Sequence, residues 1–219
     1  MAAEYRADGL RSDDDAGTVD TDRLAASRAL WDDLGEFHGT DPDDRFHDVE
    51  AFLAGGQTLR GIERELAGDV TGKELLHLPC HFGMDTLNRA RPGARVTGVD
   101  SSPEAITQAR RLAERAGLEA EFVEADVQRL PDALAARFDL VVATYGVLSW
   151  IGDLDAWMNG AASAGLVVER LGEHTETETG RRHILPQGPD GLYRFAFSDT
   201  CLPILYSLRA VRPSALDGA

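Results

Sequence analysis

LLHLPCHFGMDTL, Leu75 to Leu87, and VTGVDSSPEAI, Val96 to Ile106, are the stretches whose reading decides the fold. Each holds a short apolar run that ends in polar residues and leads into a helical pattern. Such runs, alternating with amphipathic helices, mark a parallel sheet covered on both faces. Strand one spans Glu74 to Leu78 and its helix runs from Gly83 to about Arg91, where Pro92-Gly93 ends it. Strand two spans Ala94 to Val99. Ser101 or Ser102 caps the next helix, with Pro103 in its first turn and Glu104 placed to form a capping box with Ser101. That helix runs to about Ala116 and stops at Gly117. Strand three follows at Ala120 to Glu124, a short helix at Asp132 to Ala136, and strand four at Phe138 to Ala143. The order βαβαβ predicts an α/β, doubly wound, mostly parallel sheet with right-handed crossovers.

Working outward, Thr71-Gly72 marks a turn upstream of strand one. Before it, Leu24, Ser27, Leu30, Trp31 and Leu34 recur at helical spacing, and shorter helices are predicted around Val49, Phe52 and Leu53 and around Leu59, Ile62 and Leu66. Residues 22–70 therefore read as a helical N-terminal cap and residues 71–219 as the sheet-bearing core. Residues 1–21 carry Asp13-Asp14-Asp15 and few large apolar side chains, too little burial to offset the entropy of ordering, and read as a disordered acidic tail. Downstream, Asp153 to Ala162 reads as a helix, and Gly165 to Arg170 and Leu202 to Ala210 read as strands. Glu173 to Asp199 is polar and glycine-rich, without a periodicity that assigns it.

Of the 219 residues 43% are hydrophobic, ordinary for a globular chain, and the formal net charge is -16. That charge repels nucleic-acid phosphates and anionic membrane surfaces, so neither is an expected partner. Lys73 is the only lysine, and acidic residues run along the whole chain. Spread acidity points to a halophilic protein of a salt-rich cytoplasm, where salt screens the self-repulsion. The competing reading is an acidic protein from a GC-rich genome, and activity measured against salt concentration separates the two. Cys80 and Cys201 lack CxxC spacing, and the histidines show no HExxH pattern, so no metal site is expected. No apolar run reaches the roughly 18 residues of a membrane span, and the first residues lack the pattern of a signal peptide. The expectation is a cytoplasmic monomer or homodimer.

In a doubly wound sheet, ligands bind outside the carboxyl ends of the strands where strand order reverses. The residues due there are His77 to Gly83 after strand one, Asp100-Ser101-Ser102 after strand two, Glu124 to Val127 after strand three, and Thr144-Tyr145-Gly146 after strand four. They outline one nucleoside site. With the two quoted stretches, this constellation resembles the class I S-adenosylmethionine-dependent methyltransferases, in a branch that writes its first loop LHLQCHFGxDTL, and the resemblance covers Trp31 to Trp157. It implies a Rossmann-like fold, S-adenosyl-L-methionine as cofactor, and transfer of its methyl group; the lack of basic patches and the aromatic, helical cap make a small molecule the expected acceptor. It places Asp100 on both ribose hydroxyls, a role suited to a carboxylate that accepts two hydrogen bonds, with Ser101 and Ser102 beside it. It places Asp126 on the adenine amino group, with Val127 packed on the ring. The strand-one loop, with Pro79, Cys80, Gly83, Met84 and Asp85, holds the methionine moiety, and Thr144 closes the site after strand four. His77 stands where the family often has an acidic residue near the cofactor amino group, a bond that neutral imidazole accepts and cationic imidazole opposes. Plainer readings stand beside these: Asp100 as a capping residue, His77 as hydrogen-bonded packing, Cys80 as a small buried hydrophobe, and Asp85 as a first-turn charge.

Pro79 and His81 occupy the first two glycine positions of the common GxGxG loop, and only Gly83 remains. Pro79 also lacks a backbone donor, which argues against a nicotinamide dehydrogenase, whose pyrophosphate needs free amides at the helix start. Methyl transfer demands alignment above all, and a base only where the acceptor must lose a proton; Tyr145, His81 and His38 are the candidates. Trp31, Phe46 and Trp150 form either an aromatic lid over the cofactor or core packing. Relative to the family, about one βα unit of roughly 30 residues is lacking after strand four. Either the polypeptide has an internal deletion, which would force a late strand to pair beside strand four, or a segment of the natural protein is missing from this sequence. A deletion there would remove acceptor-side wall, so the alternative function is an S-adenosylmethionine-binding protein without transferase activity.

Overall fold

The structure, a computed structural model, describes residues 48–127, 129–135, 137–144, 166–177, 187–197, 200–202 and 205–211. Its centre is a four-stranded sheet in the order β3-β2-β1-β4, built from β1 (Glu74–His77), β2 (Arg95–Asp100), β3 (Glu121–Glu124) and β4 (Leu140–Val142). All three pairings are parallel, with Leu75 opposite Val96 and Leu140, and Val99 opposite Val123. The chain steps outward from β1 through β2 to β3, then returns to the other side of β1 for β4. The strand order therefore reverses between β1 and β4, and a crevice opens there by topology.

Alternation along β1 sends Leu75 and His77 to one face and Leu76 and Leu78 to the other. On the first face, α1 (Val49–Leu53), α3 (Met84–Ala90) and α4 (Pro103–Ala116) close over a core of Val49, Phe52, Phe82, Leu87, Ile106 and Phe122. On the other face Leu76, Leu78, Val99 and Leu134 form a second core, with Val123, Val127 and Phe138 against it. Burial on both faces of β1 and β2 is why these two strands read as continuous apolar runs rather than alternating ones.

Local chemistry sets the helix ends. Ser102 is the N-cap of α4: its side chain accepts the Ala105 amide at 3.2 Å, with Pro103 in the first turn. The capping box expected between Ser101 and Glu104 is not formed, because the cap lies one residue later and Ala105 stands where the box needs an acid. Gly117 ends α4 in the left-handed conformation, φ 64°, as a C-terminal glycine does. The helix expected at Asp132 to Ala136 is a 3-10 turn over Asp132–Leu134.

The two predicted upstream helices are α1 and α2 (Gly61–Ala67), and α1 shares the main core through Val49 and Phe52. Arg91 fastens it: its guanidinium lies 3.9 Å over the Phe52 ring and donates to the carbonyls of Phe52 and of Gly56, the latter at 2.8 Å. The acidic tail, the predicted helix from Asp22 to Leu34 and the helix at Asp153 to Ala162 lie outside the described residues.

Beyond β4, β5 (Val167–His174) pairs antiparallel with β9 (Leu205–Val211) as a two-stranded sheet, and β6 (Glu176–Thr177), β7 (Tyr193–Phe197) and β8 (Thr200–Leu202) form a further sheet of their own. Among the described residues no late strand pairs beside β4: β5 takes β9 as partner, and the described pairing of β4 is with β1. Among the described residues no helix is long and apolar enough to cross a membrane.

Candidate functional site

The loop from Leu78 to Gly83 leaves β1 and turns back on itself. Cys80 donates its amide to Val99 O at 2.8 Å, and Gly83 donates to Cys80 O at 3.0 Å. His81 adopts φ 51°, the left-handed region that a glycine enters without cost, so the loop keeps the backbone of a glycine at this position. Two contacts offset the strain. Its amide donates to Asp100 Oδ2 at 2.8 Å, and its ring sits edge-on to Phe82 with centroids 4.9 Å apart. The close approach of the loop to β2 explains a glycine inside that strand: a Cβ on Gly98 would lie 2.9 Å from Cys80 Sγ and from Phe122.

Asp100, at the end of β2, is 7% exposed and joins two loops. Oδ2 accepts from His81 and Oδ1 accepts the Ser102 amide at 3.0 Å, while its carbonyl accepts Ala125 at 2.9 Å. Its carboxylate is thereby held in one orientation at the carboxyl end of the sheet. Asp126 follows β3 in an exposed position, its carbonyl accepting from Arg129 at 2.9 Å, and Val127 packs against the Leu76 and Val99 core. The expected ribose and adenine residues therefore end adjacent, paired strands.

The structure refines the other expected residues. Cys80 is buried, and burial together with the nearby Asp100 charge pushes its thiol well up, which keeps it a protonated packing group. Met84 is buried in the core at the start of α3. His77 is buried at the end of β1, with Nδ1 2.7 Å from Thr86 Oγ1 and Nε2 3.0 Å from Thr144 Oγ1. Both ring nitrogens are therefore engaged, and burial with the nearby Arg89 charge holds the imidazole neutral, its pKa well below the usual range. Trp31, His38, Phe46, Tyr145 and Trp150 lie outside the described residues.

A buried ionic cluster that gave no sequence signal flanks the loop helix. Arg89 in α3 meets Glu63 in α2 at 3.3 Å, with side chains 2% and 8% exposed, and also donates to Asp85 O at 2.8 Å. Glu63 Oε2 accepts the Arg60 amide at 2.9 Å as well. Asp85 stands beside them, and burial first, then the Glu63 charge, pushes its carboxyl up to about 6 against the opposing pull of Arg89 and Arg60. A carboxyl with a raised folded-state pKa binds protons more tightly folded than unfolded. Ionised Asp85 thus costs stability, beginning near pH 4 and reaching its full value above about 6, by at most about 3 kcal/mol. Asp85→Asn is expected to raise the melting temperature at pH 7.5 by several degrees and to leave it unchanged at pH 4. An equal or lower value at pH 7.5 would contradict the assignment.

Residues 75–164 match the family described as a methyltransferase domain. A ubiquinone biosynthesis O-methyltransferase of Cronobacter sakazakii is 31% identical over 130 residues, 58% of this chain and 49% of the relative. A demethylmenaquinone methyltransferase of Thermus thermophilus is 37% identical over 106 residues, 47% of this chain and 48% of the relative. The chain thus spans about half the length of these curated relatives. Magnesium protoporphyrin IX methyltransferase from Synechocystis PCC 6803, solved with bound S-adenosylmethionine, shares the fold at a TM-score of 0.50 and 14% identity, over 87% of this chain and 97% of that one.

Proposed function

We propose that this chain is a class I S-adenosylmethionine-dependent methyltransferase, which binds S-adenosylmethionine at the carboxyl ends of β1 to β4 and transfers the methyl group to a small molecule; the methyltransferase-domain match over residues 75–164 and the methyltransferase relatives support the reading. The observation that carries the reading is the Asp100 carboxylate, held in one orientation at the carboxyl end of β2 by the amides of His81 and Ser102. Asp100 would accept both ribose hydroxyls, Asp126 the adenine amino group, and Val127 would pack on the base. The Pro79 to Gly83 loop, with Met84 and Asp85 at the start of its helix, would hold the methionine moiety, and Ser101, Ser102 and Thr144 would line the rest. Pro79 has no backbone donor and the amides of Cys80, His81 and Gly83 are bonded within the protein, which suits a cofactor that carries no phosphate.

When bound, the cofactor supplies a methyl group on a sulfonium, open to in-line attack. The protein's share is alignment and exclusion of water. His81, Tyr145 and His38 remain the candidates to take a proton from the acceptor. A net charge of -16 supports a small-molecule acceptor over a nucleic acid. A second reading, cofactor binding without transfer, is favoured by one observation: β5 and β9 pair with each other and add no strand beside β4.

Calorimetric titration with S-adenosylmethionine tests binding, and release of S-adenosylhomocysteine over an acceptor screen that includes demethylmenaquinone tests turnover. Saturable binding with release is expected. Binding without release from any acceptor selects the second reading, and a folded protein that does not bind rejects both.

A further inference from the structure

His77 is the last residue of β1, opposite Gly98 in β2 and Val142 in β4, and so stands where the strand order reverses. The backbone link between β1 and β4 ends just beyond it, with Leu78 donating to Val142 O at 2.9 Å. Past that point the imidazole continues the connection. At 2% exposure it reaches Thr86 in α3 with one nitrogen, at 2.7 Å, and Thr144, two residues after β4, with the other, at 3.0 Å. We propose that His77 is a positioning residue, whose ring sets the spacing between the helix of the cofactor loop and the chain leaving β4 through the Thr86 and Thr144 hydroxyls.

The proposal rests on the S-adenosylmethionine-binding reading, and it replaces a direct bond between His77 and the cofactor amino group, since neither ring nitrogen is left to make one. A neutral imidazole has one N–H and one lone pair. One threonine hydroxyl therefore accepts from the ring and the other donates to it, which gives the bridge a defined polarity. Burial and the Arg89 charge, which keep the ring neutral, preserve that polarity through the physiological range. The placement matters because α3 begins at the methionine-binding loop, whereas Thr144 leads toward the side on which an acceptor would meet the methyl group.

Asparagine reproduces the reach of the Nδ1 arm toward Thr86, and glutamine that of the Nε2 arm toward Thr144, so the arms separate genetically. Affinity for S-adenosylmethionine is measured by calorimetry in the wild type, His77→Asn, His77→Gln, Thr86→Val, Thr144→Val and the paired combinations, with thermal melts alongside. Thr86→Val is expected to weaken binding about fivefold in the wild type, the worth of one hydrogen bond, and less than about twofold in the His77→Gln background, where that arm is already gone. Thr144→Val is expected to behave likewise toward His77→Asn. Equal factors in both backgrounds would overturn the proposal, as would variants that lose melting temperature while binding like the wild type, the mark of a merely structural histidine. A folded wild type that does not bind would instead overturn the functional reading beneath it.

Discussion

Asp100→Ala is expected to lower affinity for S-adenosylmethionine by at least about 100-fold. Two losses combine. The proposed acceptor for both ribose hydroxyls disappears, and hydrogen bonds to a charged group contribute roughly 1.5 to 3 kcal/mol each. The amides of His81 and Ser102, now accepted by Oδ2 and Oδ1, lose that anchor as well, so the β1 loop and the start of α4 shift independently. Asp100→Asn separates charge from shape: one oxygen becomes an NH2 group that must face an amide N–H, and an intermediate loss is expected. Asp126 is exposed and its replacement by alanine should cost less, on the order of tenfold. Titration calorimetry reads all three. An Asp100→Ala protein that binds within about threefold of the wild type would make the ribose assignment wrong.

The largest loss of stability is expected at Gly83. Its φ is 80°, and a Cβ there would lie 2.7 Å from Phe122 Cε1 and Cζ and 2.8 Å from the Ala109 methyl. Neither neighbour is a flexible chain end: the ring belongs to β3 and the methyl to α4. Backbone strain of roughly 1 to 3 kcal/mol adds to overpacking of similar size, so Gly83→Ala should destabilise by about 2 to 6 kcal/mol. In urea the midpoint should fall while the slope stays constant. Phe122→Leu should partly relieve the steric share in the Gly83→Ala background and destabilise the parent. An unchanged midpoint for Gly83→Ala would show that the loop does not approach β3 as described.

The contrast between Gly83 and Gly98 shows where sequence reading reaches and where it stops. The strands and helices from Glu74 to Glu124 were legible because their signals are local: apolar runs of strand length, Pro103 in a first turn, and a stopping glycine at Gly117. Gly83 was legible as a loop glycine for the same reason. That Gly98 makes room for Cys80 and Phe122 was not, since the constraint comes from chain on other strands. The same holds for the His77 bridge, which spans 67 positions to Thr144, and for Glu63 with Arg89, whose burial follows from the packing of α2 on α3. His81 is a subtler case. Its presence at a glycine position read as a departure from the loop pattern, yet the backbone keeps the left-handed conformation there, supported by Asp100. Past β4 the polar, glycine-rich stretch offered no period, and β6 to β8 are short antiparallel strands that pair within their own sheet.

The carboxyl ends of β1 to β3 are proposed to form a nucleoside site organised by Asp100. A crystal structure with S-adenosylhomocysteine tests it most directly. Both ribose hydroxyls should lie within about 3 Å of the Asp100 carboxylate oxygens, with the adenine edge toward Asp126. A nucleoside bound elsewhere on the chain, or one whose ribose is held without Asp100, would contradict it.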